Sequence, residues 1–215
     1  MEICDFVYHQ PATMLEACSL GRTHGRNARF LAGGTELLPD LKQHRDTTQH
    51  LVDLKAIGGL RDIRLDGAVL RIGSLVTLSE VAESPRVLTH FPALAEAILT
   101  MAAVQIRNRG TLGGNFCSGV PSADTPPICI AGRAEVVLAA AEGSRTIPAH
   151  EFFLGPRRIA LAPGEILAEI AFPALSFISG AAYQRFALRR ATALAVASVA
   201  AMVELEGATI RAARV

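Results

Sequence analysis

The sequence predicts an α+β protein of two lobes, a small one on a parallel sheet and a larger one on a mostly antiparallel sheet, followed by a third, α+β region. Three observations predict it. The first 55 residues alternate strand, loop, helix and strand, an order that favours parallel pairing. Two alternating segments, 61–65 and 69–73, flank Asp66-Gly67, a two-residue hairpin signal. Beyond residue 176 three strand-like stretches follow, with Gly207 as a turn. The expected divisions are 1–55, 56–175 and 176–215.

The elements follow in order. Pro11 is suited to open a helix through Met14, Leu15 and Leu20. Residues 30–32 read as a short strand entering a glycine loop. Leu37, Leu38 and Leu41 recur at helical spacing, and residues 50–54 return as a strand. In the second lobe Thr77 and Glu80 stand at capping-box spacing, and Pro92 opens an alanine-rich helix reaching Ala102. Residues 135–141 and 166–172 are further strands. The last region reads as strands over 181–190, 196–206 and 209–215, or strands with a helix. The 209–215 segment is the second arm of a hairpin and leaves an edge unpaired, so the chain alone is expected to self-associate.

Composition narrows the class. Half of the 215 residues are hydrophobic and the formal net charge is +1, which argues against a nucleic-acid binder. The basic residues are nearly all arginine; Lys42 and Lys55 are the only lysines. Glu2 and Asp5 stand where a signal peptide carries positive charge, and the 191–203 run is too short and polar to span a membrane. The expectation is a cytoplasmic protein. Cys4, Cys18, Cys117 and Cys129 show no paired spacing for a zinc or iron–sulfur site and read as small apolar residues. The six histidines show no HExxH and no i,i+4 pair; His44 and His150 read as surface or loop residues, and no metal site is expected.

Two glycine pairs, 80 residues apart, carry most of the functional information. The first lies in Ala32, Gly33, Gly34, Thr35, Glu36, Leu37 and Leu38. The second lies in Thr111, Leu112, Gly113, Gly114 and Asn115, with Asp124 nine residues on. Glycine permits φ > 0 and close backbone approach, so successive N–H groups can converge on one anion. Two such segments suggest one phosphate-bearing ligand held from two sides. The chain has no GxGxxG, no GxxxxGK[ST] and no GxSxG, and no evident acid, base or nucleophile stands beside the glycines. That suits a protein that holds a reactive cofactor and leaves the chemistry to it.

The run from Gln105 through Arg107, Arg109, Thr111, Gly113 and Gly114 to Asn115, with Ser122 and Asp124 after it, closely resembles the FAD-binding medium subunit of molybdenum hydroxylases. Xanthine dehydrogenase, carbon monoxide dehydrogenase and aldehyde- and nicotinate-oxidising enzymes belong to that family. The 32–38 loop with Lys42, the segment Gly164-Glu165-Ile166-Leu167 and the pair Arg189-Arg190 resemble it too, so the likeness spans nearly the whole chain. The resemblance implies a two-lobed FAD domain of the vanillyl-alcohol oxidase type, with FAD between the lobes and a C-terminal domain that is incomplete here. It implies that residues 32–38 offer backbone N–H groups to the phosphates, and that Thr111, Gly113, Gly114, Asn115 and Ser118 complete the cradle. It further implies that Asp124 accepts hydrogen bonds from cofactor hydroxyls, that Leu167 packs on the isoalloxazine and that Arg185 stands beside the flavin. Where the family commonly has an acidic residue, this chain has Ala193.

Plainer readings exist for each. The glycines can be turn residues, Asp124 can favour the start of a helix at Thr125-Pro126, Leu167 can be core and Arg185 can be a solvated strand residue. The resemblance implies an electron-transfer subunit: partner iron–sulfur clusters reduce its FAD, which passes electrons to NAD+, oxygen or another acceptor. A large molybdopterin subunit and a small [2Fe–2S] subunit are the implied partners. The alternatives are a non-catalytic flavin-binding or interaction module left from a decayed complex and a self-contained FAD reductase of the UDP-sugar type.

Overall fold

A three-stranded parallel sheet opens the chain in the computed structural model, which describes residues 5–173, 178–189 and 193–215. Its strands are β1 (Val7–His9), β2 (Ala28–Leu31) and β3 (His50–Asp53), in spatial order β1-β3-β2. Helix α1 (Met14–His24) joins the first two, and α2 (Leu37–Lys42) joins the second to the third. Thr13, not Pro11, opens α1: its side chain accepts from the Glu16 N–H at 3.2 Å, leaving Pro11 outside the helix. Strand β1 was not predicted, because three half-exposed residues carry too little alternation to stand out.

The second sheet is antiparallel throughout, in order β4-β5-β10-β6-β7. Strands β4 (Ile63–Asp66) and β5 (Val69–Gly73) form the expected hairpin. Asp66 pairs with Val69, so the turn is Gly67-Ala68, one residue later than the sequence signal, with Gly67 at φ +59°. Helices follow: α3 (Leu78–Glu83), α4 (Pro85–His90), α5 (Pro92–Thr100), α6 (Val104–Arg107), α7 (Leu112–Cys117) and α8 (Thr125–Ala131). The capping box of Thr77 and Glu80 is formed at α3. Then come β6 (Glu135–Ala140), β7 (Gly143–Pro148), the short pair β8 (Phe153–Gly155) and β9 (Arg158–Ile159), and β10 (Ile166–Phe172).

The last region is a three-stranded antiparallel sheet of β11 (Ile178–Phe186), β12 (Ala197–Glu206) and β13 (Thr209–Arg214). Strand β13 pairs with β12 alone among the described residues. One sheet face sends Tyr183, Ala200 and Met202 into the main core; the other leaves Ile178, Phe186, Val199 and Ile210 exposed. Arg190, Ala191 and Thr192 of the family-like stretch, together with Cys4, lie outside the described residues.

Phe116, Ile128, Leu138, Phe152 and Ile170 are fully buried in that main core between the antiparallel sheet and its helices. A second core joins Ala17 and Cys18 of α1 to Leu75 and Ile166 of the antiparallel lobe. The two lobes therefore share apolar contacts. Gly164, at φ +83°, makes this possible: a Cβ there would stand 2.8 Å from the Cys18 carbonyl oxygen. This seam fixes the parallel lobe against the antiparallel one, and the glycine segments lie near it.

Candidate functional site

The first glycine segment leaves the end of β2 and enters α2. Gly34 takes φ +74°, a conformation that an L side chain strains to adopt. Among the described residues, none accepts a hydrogen bond from the backbone N–H groups of Gly34, Thr35, Glu36 or Leu37. A helix start leaves its first donors without intrahelical partners, and this one has no side-chain cap. Four successive unspent donors around a left-handed glycine make a concavity suited to an anion. Leu37 and Leu38 sit on the opposite side, packed on the small core of Leu31, Leu41 and Leu51.

The second glycine pair is helical where the sequence reads as a loop. Thr111 is the N-cap of α7, and Gly113, Gly114 and Asn115 form that helix's first turns. Their donors are already used: Leu112 N–H to Val76 O at 3.0 Å, Gly113 N–H to Ser74 O at 3.0 Å, Gly114 N–H to Thr111 Oγ1 at 3.0 Å and Asn115 N–H to Thr111 O at 3.0 Å. The two glycines also separate in role. A Cβ on Gly113 would meet Ser74 Cβ at 2.5 Å and its carbonyl oxygen at 2.7 Å, so Gly113 serves backbone packing. Gly114 is exposed, and only Thr111 Oγ1, at 3.0 Å, would meet its Cβ. Asn115 Oδ1 accepts from the Thr125 hydroxyl at 2.6 Å and ties α7 to α8, while Ser118 Oγ donates to Asn115 O at 2.9 Å.

The structure does bring the two segments together. A Cβ on Gly33 would lie 1.9 Å from the carbonyl oxygen of Arg109, and one on Gly110 would lie 3.4 Å from Thr35 Oγ1. Gly33 is thus the point where the first segment crosses the backbone that leads into the second. Glu36 reaches the antiparallel lobe as well, pairing with Arg157 at 2.8 Å, and the Arg157 N–H donates to Gly119 O at 2.7 Å. Arg157 stands at φ +56° in the β8–β9 turn, a partner no sequence motif marks.

Asp124, Leu167 and Arg185 all have buried side chains. Leu167 is a core residue, 3% exposed, and offers little surface to a planar ring. Asp124 precedes α8 but makes no side-chain cap there. Its Oδ1 accepts from the Tyr183 hydroxyl at 2.8 Å and lies 2.7 Å from Arg185 Nε, with both charged side chains 7% exposed. That Nε–H is close to the carboxylate but not aligned as a hydrogen bond. The guanidinium also donates to Thr100 O at 3.2 Å and to Ala193 O. Burial, together with the Asp124 carboxylate, pushes the Tyr183 phenol up to about 12, so it remains a donor. Asp124 and Arg185 form a buried clamp between α8 and the third sheet. Tyr183 and Arg185 stand two apart on one strand and so share a face, a signal visible in the sequence.

A cavity of about 1040 Å³ lies elsewhere, lined by residues such as Pro126 and Ile130 of α8, Phe153, Pro156 and Val199. None of residues 32–38 or 111–118 lines it. Its walls are mainly apolar, whereas the first glycine segment offers unspent backbone donors. Burial pushes the thiols of Cys117 and Cys129 up, that of Cys117 to about 12, so both are small apolar residues at neutral pH. The histidines are less scattered than their spacing suggests: His9, His24 and His50 converge. No helix among the described residues is long and apolar enough to cross a membrane.

Known proteins are similar to this chain over most of its length. The family described as the FAD binding domain in molybdopterin dehydrogenase matches residues 4–175. The carbon monoxide dehydrogenase medium chain of Hydrogenophaga pseudoflava is 38% identical over 211 residues, which is 98% of this chain and 73% of that one. The xanthine dehydrogenase FAD-binding subunit of Escherichia coli O157:H7 is 36% identical over 202 residues, 93% of this chain and 68% of that one. Among solved structures, carbon monoxide dehydrogenase from Hydrogenophaga pseudoflava, in a form lacking the Mo-pyranopterin moiety, superimposes with a TM-score of 0.95 at 37% identity. That match covers 100% of this chain and 74% of the other.

Proposed function

The chain belongs to the family of FAD binding domains in molybdopterin dehydrogenases, and from that premise we propose that it is the FAD-binding electron-transfer subunit of a cytoplasmic molybdopterin-dependent hydroxylase or dehydrogenase. In that complex it would take electrons from [2Fe–2S] clusters on a small partner subunit and deliver them to an acceptor such as NAD+ or oxygen, while a large molybdopterin subunit hydroxylates the substrate. The flavin, when bound, supplies the redox chemistry. This chain's residues bind and orient it.

One observation carries the reading: four successive backbone donors, from Gly34 to Leu37, have no acceptor within the described residues. They fit a diphosphate, and a site of this kind needs no charged side chain. Ala32 and Gly33 lead the backbone into the nest. Thr35 and Asn115 would add a hydroxyl and an amide, with Thr111 and Ser118 fixing the helix turn beneath. Gly114 would leave room for the ligand's passage, a different service from that of Gly113. In this reading Asp124 and Arg185 hold the wall behind the site. The proposed divisions are 1–55 and 56–175 as the two FAD-binding lobes and 176–215 as part of a C-terminal domain.

The test compares FAD with FMN by calorimetry on the apoprotein. FMN carries a single phosphate and cannot span the nest. Two lost charge-assisted hydrogen bonds, at roughly 1.5–3 kcal/mol each, correspond to at least about 100-fold weaker binding. Equal affinity for the two flavins would overturn the assignment.

A further inference from the structure

We infer that His9, His24 and His50 form a binding site for one divalent transition-metal ion of the zinc type. Residues 41 apart in sequence meet here because of register. His9 pairs with Val52 across the β1–β3 ladder, and Val52 shares a face with His50, two residues earlier. That face packs against Ala17 and Cys18 of α1, and the last turn of the same helix delivers His24. Three elements distant in sequence thus each contribute one imidazole to one spot.

The geometry is that of ligands. One nitrogen from each ring lies within 4.8 Å of the other two, and His9 Nε2 is 3.0 Å from His50 Nδ1. Among the described residues this is the one such group of three. Imidazole nitrogen binds Zn²⁺ at about 2.0–2.1 Å, which sets neighbouring nitrogens roughly 3.3 Å apart in a tetrahedral shell. The His9–His50 nitrogens, at 3.0 Å, are already within that distance, and the other pairs, each within 4.8 Å, reach it by turning of the rings. The rings of His24 and His50 are stacked, with centroids 3.6 Å apart and planes 17° from parallel. An ion lies in the plane of each ring that binds it, so binding must turn one of these rings until the planes meet. All three side chains are half-buried, which leaves a ring edge free to turn and a fourth position for water. No carboxylate belongs to the group, and three neutral imidazoles suit zinc, nickel or copper better than magnesium or calcium.

The site is separate from the proposed flavin nest. His50 lies three residues before Asp53, which pairs with Leu31 at the mouth of the glycine segment, about 10 Å along the strands. A bound ion would pin β1, β3 and the end of α1 together and so brace the smaller lobe.

The experiment is zinc titration of the full chain with FAD present, by calorimetry and by metal analysis after dialysis, with magnesium as the comparison. Wild type should take up one Zn²⁺ per chain and no Mg²⁺. Loss of an outer partner of a metal ligand typically costs 10–100-fold in affinity, so His24→Ala and His50→Ala, which remove ligands outright, should weaken zinc binding by at least about 100-fold. His150→Ala, at an exposed position elsewhere, should leave it unchanged. Circular dichroism reports folding; should an alanine variant unfold, His24→Gln and the visible spectrum of the Co²⁺-substituted wild type decide instead. Tetrahedral Co²⁺ bands lost in His24→Gln support the site. No stoichiometric zinc uptake, or uptake equal in wild type and the His24 and His50 variants, would overturn it.

Discussion

Replacing Gly33 with alanine is expected to abolish FAD retention and to destabilise the junction of the two glycine segments. The added Cβ would sit 1.9 Å from the Arg109 carbonyl oxygen and 2.8 Å from its carbon. Both are backbone atoms, so no rotamer change relieves the clash, and the segments must part by roughly 1.5 Å to reach ordinary contact. Overpacking of this kind costs about 1–3 kcal/mol. The donors of Gly34 to Leu37 would move with the backbone, and an anion held by several convergent N–H groups loses them together. Gly114→Val provides the contrast. Only Thr111 Oγ1 opposes a side chain at Gly114, so the fold should survive while bulk fills the proposed path of the ligand. FAD occupancy after purification, measured beside thermal unfolding, separates the two. Full FAD retention in Gly33→Ala would show that the crossing tolerates a methyl group and that the nest does not depend on it.

Asp124→Ala should be the most destabilising single change in the larger lobe. It leaves the Arg185 guanidinium buried without its counter-ion, and breaking a buried pair in this way costs about 3–5 kcal/mol. For a chain of this size that lowers Tm by on the order of 10 °C. It also frees the Tyr183 hydroxyl from its acceptor. Replacing both charges, as in Asp124→Leu with Arg185→Met, should recover most of the loss, because apolar side chains of similar volume need no counter-ion. If Asp124→Ala instead keeps its Tm and loses only FAD affinity, the aspartate serves the ligand directly and the clamp is incidental.

These two sites show where the sequence was legible. The hairpin at Gly67, the capping box at Thr77 and the three strands of the last sheet follow from local pattern, and the structure has all of them. Local pattern also placed the first glycine segment between β2 and α2. It failed where a role depends on which donors are already spent. Gly113 and Gly114 look alike in sequence, yet Ser74 opposes one and open space faces the other. The second segment read as a loop because glycine is a poor helix former, whereas Thr111 caps it and packing holds it helical. Arg185 pairs with a carboxylate 61 positions away, and the three histidines meet through strand register; neither relation has a local signature.

A crystal structure of the chain with FAD bound would locate the diphosphate directly. Binding by the first glycine segment predicts diphosphate oxygens about 2.9 Å from at least two of the backbone nitrogens of Gly34, Thr35, Glu36 and Leu37, with Gly114 facing the ligand and Asp124 still paired with Arg185. A diphosphate seated instead in the cavity beside α8, with those four donors left to solvent, would contradict it.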